Sequence, residues 1–97
     1  MIEHKYYVYI LSNRKDGVLY IGVTNNLEKR VSEHKNKRYK TSFSARYNVD
    51  KLVYYEEFQW IQEALKREKV LKKWKREWKI ELVVNNNPNW YDLSLEW

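Results

Sequence analysis

The chain has 97 residues, a formal charge of +6 and an isoelectric point near 9.5. A chain of this size is expected to form one domain, Met1 to Trp97, with a modest core. It has no cysteine, which excludes disulfides and thiolate zinc sites. Five Trp and nine Tyr enlarge the apolar area that a small core can bury, and such rings can also stack on nucleobases. The positive charge favours a polyanionic partner, nucleic acid before an anionic membrane surface. Met1 to Lys5 is polar and no apolar run approaches a membrane span, so neither a secretion signal nor a membrane segment is expected, and the cytoplasm is the expected location.

The first element is a β-hairpin. Tyr6 to Leu11 and Val18 to Val23 are short runs of aromatic and β-branched residues around the turn signal Asn13-Arg14-Lys15-Asp16-Gly17. Gly17 is the expected residue for a positive φ. Pairing Tyr9 opposite Tyr20 places Val8, Ile10, Leu19 and Ile21 on one face, the natural core side. Tyr7, Tyr9, Tyr20 and Gly22 fall on the other. Registers slipped by two residues satisfy the same parity.

A helix is expected from Leu27 to Lys35, opened by Asn25 with Glu28 as a capping box. Leu27, Arg30, Val31 and His34 follow the i, i+3, i+4, i+7 rule and share one stripe. Arg30 and His34 are unusual there. Either they sit at the edge of the stripe and reach water, or they belong to a site. Lys35, Lys37, Arg38 and Lys40 then form a basic run around Tyr39, which suits a phosphate backbone and an unstacked base.

Ser42 or Ser44 caps an expected short helix through Ala45 and Tyr47. Lys51 to Phe58 reads as a third strand. From Trp60 to Trp74 a longer helix is expected, with the stripe Ile61, Ala64, Leu65, Glu68 and Leu71. Glu68 stands where an apolar side chain is expected, and a carboxylate there needs a cation. Lys72, one turn on, is the simple partner and a metal ion the functional one. Glu63 and Glu77 are weaker candidates. The outer face is dense in Lys and Arg between Lys66 and Lys79, which favours attraction to DNA or RNA. A last helix carries Trp78, Leu82 and Val83, and Pro88 ends it. Trp90, Leu93 and Trp97 are expected to pack back on the domain.

The ordered set Tyr7-Val8-Tyr9, Tyr20-Ile21-Gly22, Arg30 and His34 resembles the GIY-YIG nuclease domain, and most closely its small single-domain bacterial members. The resemblance runs over most of the chain, with the motif core between Lys5 and Ile80 and a closing tail from Asn85 to Trp97. Tyr7 stands where the family has its name-giving glycine. The resemblance implies an α+β fold, a small three-stranded antiparallel sheet flanked by helices. It implies a DNA endonuclease dependent on Mg²⁺ or Mn²⁺, with RNA as a further possible substrate and repair as a setting by analogy.

The implied site residues are Tyr9, Tyr20, Arg30, His34 and Glu68, with Glu68 as the metal ligand. Arg30 would bind the scissile phosphate. Tyr9 is the general base of the family mechanism, although a free tyrosine titrates near ~10, and His34, near ~6.5, is the alternative. Tyr20 would orient the base or the water. Lys35, Lys37, Arg38, Tyr39, Lys40 and Lys72 are the candidate nucleic-acid contacts. The family's supporting asparagine has no assigned place among Asn85, Asn86, Asn87 and Asn89. A monomer or weak oligomer is expected. The competing readings are a non-catalytic nucleic-acid-binding module of the same fold and a protein-interaction domain built on exposed aromatics.

Overall fold

The computed structural model describes residues 4–37 and 46–97. Three strands, β1 (Tyr6–Ser12), β2 (Leu19–Thr24) and β3 (Lys51–Phe58), form one sheet in the order β2-β1-β3, antiparallel throughout. Helix α1 (Leu27–Lys35) follows β2. Helices α2 (Ile61–Lys73) and α3 (Arg76–Asn86) follow β3, and a short 3-10 helix (Leu93–Glu96) closes the chain. This is the α+β fold expected from the sequence. Arg38, Tyr39 and Lys40 of the basic run lie outside the described residues, as do Ser42, Ser44 and Ala45 of the expected short helix. No described helix is long and apolar enough to cross a membrane.

Both faces of the sheet are buried, so β1 supplies core residues at every position from Val8 to Leu11. On one face Val8, Ile10, Ile21 and Val53 meet Ala64 and Leu71 of α2, Val83 of α3, and Trp90. On the other, Tyr9, Leu11 and Leu52 meet Val49 and the α1 residues Leu27 and Val31. The second face is therefore part of the core and not a solvated side.

The hairpin register differs from the expected one by two residues. Tyr9 lies opposite Gly22, Ile10 opposite Ile21 and Leu11 opposite Tyr20. Parity is preserved, so the two sets of side chains keep their faces. The loop sets the register. Val18 N–H donates to Asn13 Oδ1 at 2.9 Å and Gly17 N–H to the Arg14 carbonyl at 3.0 Å. Asp16, at φ 56°, takes the left-handed position expected of Gly17. Gly17 is required for space, because a Cβ there would stand 2.0 Å from Asn13 Oδ1. On the other side of β1, the pairing with β3 shifts between Ile10 and Leu11, which sends both Val53 and Tyr54 toward the α2 face.

In α2 the stripe is narrower than expected. Ala64 and Leu71 are buried, but Leu65 is 40% exposed. The tail is held by two side chains. Asn87 Nδ2 donates to the Val53 and Tyr91 carbonyls at 3.1 and 2.9 Å, and its Oδ1 accepts from Tyr91 N–H at 3.1 Å. That clamp seats Trp90 in the core at φ 57°. Trp97 departs from expectation. It is 53% exposed and borders a pocket with Tyr7, Leu27 and Tyr55.

Candidate active site

The Tyr9 face is completed by α1, and the start of that helix fixes what reaches it. Asn26, not Asn25, is the N-cap, and its Oδ1 accepts from Lys29 N–H at 3.1 Å. Asn26 is in turn held by Thr24 Oγ1, which accepts from the Asn26 N–H at 3.1 Å. With that start, Leu27, Val31 and His34 pack against the sheet, and Arg30 lies beside them with its side chain 33% exposed.

Arg30 and His34 converge on one atom. Arg30 Nε donates to the Tyr9 hydroxyl oxygen at 3.4 Å, and His34 Nε2 lies 3.2 Å from the same oxygen. In the tautomer with its proton on Nδ1, His34 accepts the Tyr9 hydroxyl hydrogen. The Tyr20 ring packs edge-on against His34, centroids 5.1 Å apart, and 6.2 Å from the Tyr9 ring. Tyr9 is 1% exposed and His34 9%, so neither reaches bulk water as a stripe-edge residue would. Tyr20 is only half-buried. Arg30 and Lys29 open on a groove of about 360 Å³ beside the end of β2. Of the clustered residues, Arg30 lines this groove, while Tyr9 and His34 are buried.

The electrostatics follow from this burial. Desolvation pushes the Tyr9 phenol above its usual range, against the pull of the Arg30 hydrogen bond. Desolvation, reinforced by the Arg30 charge, drives His34 down to about 4, against the smaller effect of Glu33. At neutral pH Tyr9 therefore holds its proton and His34 is an uncharged acceptor beside it.

Gly22 makes the arrangement possible. A Cβ at this position would stand 2.4 Å from the Tyr9 hydroxyl oxygen and 2.5 Å from Cζ. The Tyr9 ring lies across the Gly22 backbone of the paired strand, and any side chain would displace it. The sequence contained the signal, a glycine within an otherwise apolar strand.

Glu68 stands on a different helix from Arg30 and His34. It lies on α2 between buried Ala64 and Leu71, its side chain 16% exposed, with Lys72 Nζ 3.6 Å away. No group of three or more His, Asp or Glu side chains able to hold a metal is found among the described residues. A lone, loosely paired carboxylate still fits Mg²⁺ or Mn²⁺, because such ions keep several waters and use substrate phosphates as further ligands. Glu63 and Glu77 are exposed.

The candidate nucleic-acid contacts separate. Lys37 and Lys72 are exposed. Lys35 is held in an ion pair within the fold. Its Nζ donates to Asp92 Oδ2 at 2.5 Å and to the Asp50 carbonyl at 3.0 Å. Sequence reasoning also missed a second network. The Arg67 guanidinium grips Glu56 with two bonds of 2.9 Å, and the Tyr54 hydroxyl donates to the same carboxylate. Burial would raise Glu56, but the Arg67 and Tyr54 hydrogen bonds prevail and hold it below the usual carboxylate range. Of the four asparagines near the tail, Asn87 is buried and spends its amide on the clamp described above.

A hairpin tyrosine locked against a glycine of the paired strand, and held by the arginine and histidine of the next helix, defines the class. The chain belongs to the GIY-YIG catalytic-domain family, a family of nucleases, whose model matches residues 5–81. Its relatives are small bacterial proteins. A UPF0213 protein of Clostridium perfringens is 47% identical over 85 residues, 84% of this chain and 85% of that protein. A UPF0213 protein of Syntrophus aciditrophicus is 39% identical over 82 residues, 84% of this chain and 93% of that one. The solution NMR structure of a UPF0213 protein of Bacillus halodurans superposes with a TM-score of 0.56 at 27% identity, covering 91% of this chain and 92% of the other.

Proposed function

We propose that the protein is a cytoplasmic, divalent-metal-dependent endonuclease that hydrolyses phosphodiester bonds in DNA. The observation that carries this reading is the Tyr9 hydroxyl, held between Arg30 Nε at 3.4 Å and His34 Nε2 at 3.2 Å. With its Nε on Tyr9, the Arg30 guanidinium would turn its Nη groups to the oxygens of a phosphate arriving through the groove. Their only nearby acid is Glu33, 3.8 Å from Nη1 among the described residues.

The attacking water gives its proton to the Tyr9 oxygen as the phenol proton passes to His34 Nε2. Neither group leaves its resting state alone. Tyr9 never has to persist as a buried phenolate, and neutral His34 is ready to accept. A phosphate on Arg30 offsets the charge that holds His34 down, and so raises the affinity of Nε2 for the proton at the moment it is needed. Tyr20 borders Tyr9 and Arg30 and orients the water. A Mg²⁺ or Mn²⁺ ion on Glu68 would supply charge neutralisation at the leaving oxygen. Lys72 must release Glu68 for that role, and their 3.6 Å separation across an exposed lysine is easily broken.

The test is a cleavage assay on duplex, single-stranded, nicked and branched DNA, with Mg²⁺, Mn²⁺ or chelator. Wild type is run beside Glu68→Ala and Tyr9→Phe. Metal-dependent nicking that both variants lose, while still binding DNA, is the expected result. Binding without cleavage by wild type would instead favour a non-catalytic module. Equal cutting by both variants would overturn the site.

A further inference from the structure

At the corner where α2 meets α3, two tryptophans form an aromatic angle that the active-site reading does not use. The Trp74 and Trp78 rings stand at 86°, centroids 6.1 Å apart. Trp74 is anchored from behind, with the Arg67 guanidinium 5.2 Å over its ring and its indole packed against the core. Trp78 is 50% exposed. Together with Glu81, Leu82 and Asn85 they line a pocket of about 260 Å³. An apolar wall with a few convergent polar groups is the form of a small-ligand site. A carboxylate and a carboxamide at its margin match the donors and acceptors on the edge of a nucleobase.

The surroundings decide the occupant. Lys72, Lys73 and Lys75 are exposed around the corner, and Lys75 Nζ lies 5.7 Å over the Trp78 ring. Lys79 adds a fourth ammonium, its Nζ 3.4 Å from the Lys72 carbonyl. Lysines around a half-exposed tryptophan combine phosphate neutralisation with a stacking face, the two elements by which proteins hold unpaired nucleic acid. Lys72, the ion-pair partner of Glu68, belongs to the same rim, so the corner adjoins the carboxylate assigned to the metal.

We propose that the Trp74–Trp78 corner is a binding platform for single-stranded nucleic acid, which stacks one unpaired base on Trp78 while the lysines hold the flanking phosphates. It rests on the nucleic-acid substrate of the reading above and adds a preference for unpaired strands. Duplex DNA keeps its bases stacked on one another and has none to offer.

The experiment is equilibrium binding of a fluorescein-labelled single strand of about twelve nucleotides, by anisotropy in chelator so that nothing is cut. Trp78→Ala is expected to weaken single-strand binding roughly tenfold, with Trp78→Phe recovering part of the loss. Duplex binding should be unchanged in Trp78→Ala. On an oligonucleotide of abasic sites, wild type should fall to the level of Trp78→Ala. Equal single-strand affinity of Trp78→Ala and wild type would overturn the platform while leaving the nuclease reading intact. So would an equal loss by Trp78→Ala on the abasic strand, because the indole would then not be stacking. A loss confined to phosphatidylserine vesicles would replace the strand with a membrane surface. Wild type that binds no oligonucleotide would overturn both readings.

Discussion

Gly22 and the Tyr9 hydroxyl share one space: a Cβ on the glycine would lie 2.4 Å from the phenolic oxygen. The oxygen is the atom on which Arg30 and His34 converge. Glycine here serves close approach and not backbone freedom, since no glycine among the described residues has a positive φ. Gly22→Ala should therefore displace the Tyr9 ring and damage the site more than the fold. Overpacking is expected to cost about 1–3 kcal/mol of stability. Cleavage should fall by more than about tenfold, because reacting groups tolerate little misplacement. Thermal melts and nicking rates on the same preparation check both.

Tyr9→Phe removes the oxygen and keeps the ring. Because the hydroxyl joins two side chains, its loss leaves both Arg30 Nε and His34 Nε2 without the partner described here. Cleavage is expected to drop by about 10² to 10⁴, the usual contribution of a proton-transfer group. Arg30→Lys should fail almost as severely despite its charge. A lysine ammonium cannot hold the Tyr9 oxygen with one N–H and a phosphate with two others in a plane. Single-turnover rates measured at saturating enzyme separate these losses from changes in binding.

The sequence disclosed what depends on local pattern. The three strands, the span Leu27 to Lys35 and the helix from Trp60 to Trp74 follow from periodicity and fall within a residue or two of their observed limits, and the last helix contains the Trp78, Leu82 and Val83 expected of it. The parity of the hairpin was legible and its register was not, because Tyr9 opposite Tyr20 or opposite Gly22 fills the faces identically. Choosing between them required the Asn13 and Gly17 loop contacts. Arg30 and His34 are anomalous on an apolar stripe, and their shared contact with Tyr9 explains the anomaly. Lys35 shows where pattern ran out. Within a basic run it resembled a phosphate contact, and only the fold brings Asp92, far away in sequence, to its ammonium. The exposure of Leu65 and Trp97 likewise depends on tertiary packing, which no helical periodicity encodes.

His34 should make the protein acid-sensitive in a definite window. Its pKa is near 4 in the folded protein and near 6.5 when exposed. Between these values the unfolded chain binds a proton that the folded one refuses, so stability must fall as pH drops from about 6.5 toward 4. Above the window the group contributes no slope. His34→Gln, which cannot titrate, should flatten that limb of the stability curve. Urea midpoints measured across the window for both proteins test this. Parallel curves would show that His34 is not the group responsible.

Asp92 closes the structure onto α1. Its Oδ1 accepts from Leu52 N–H at 3.2 Å and from the Ser94 N–H and hydroxyl at 3.1 and 2.6 Å, while Oδ2 takes Lys35. Burial would raise this carboxyl, but the Lys35 and Ser94 hydrogen bonds prevail and hold it below the usual carboxylate range. Its contribution to stability is thus complete above that range and lost as pH falls through the lowered value. Asp92→Ala removes the acceptor of the Leu52 N–H and the partner of Lys35, and is expected to cost about 1–3 kcal/mol. Lys35→Ala should cost less, about 1 kcal/mol, since the aspartate keeps its other donors and the lysine is partly exposed. The two losses should not add, because each variant removes the same ion pair, so the double variant should resemble Asp92→Ala alone. Denaturant midpoints of the four proteins complete the cycle. If Lys35→Ala left stability untouched and weakened DNA binding instead, Lys35 would be a phosphate contact and the tether would be incidental.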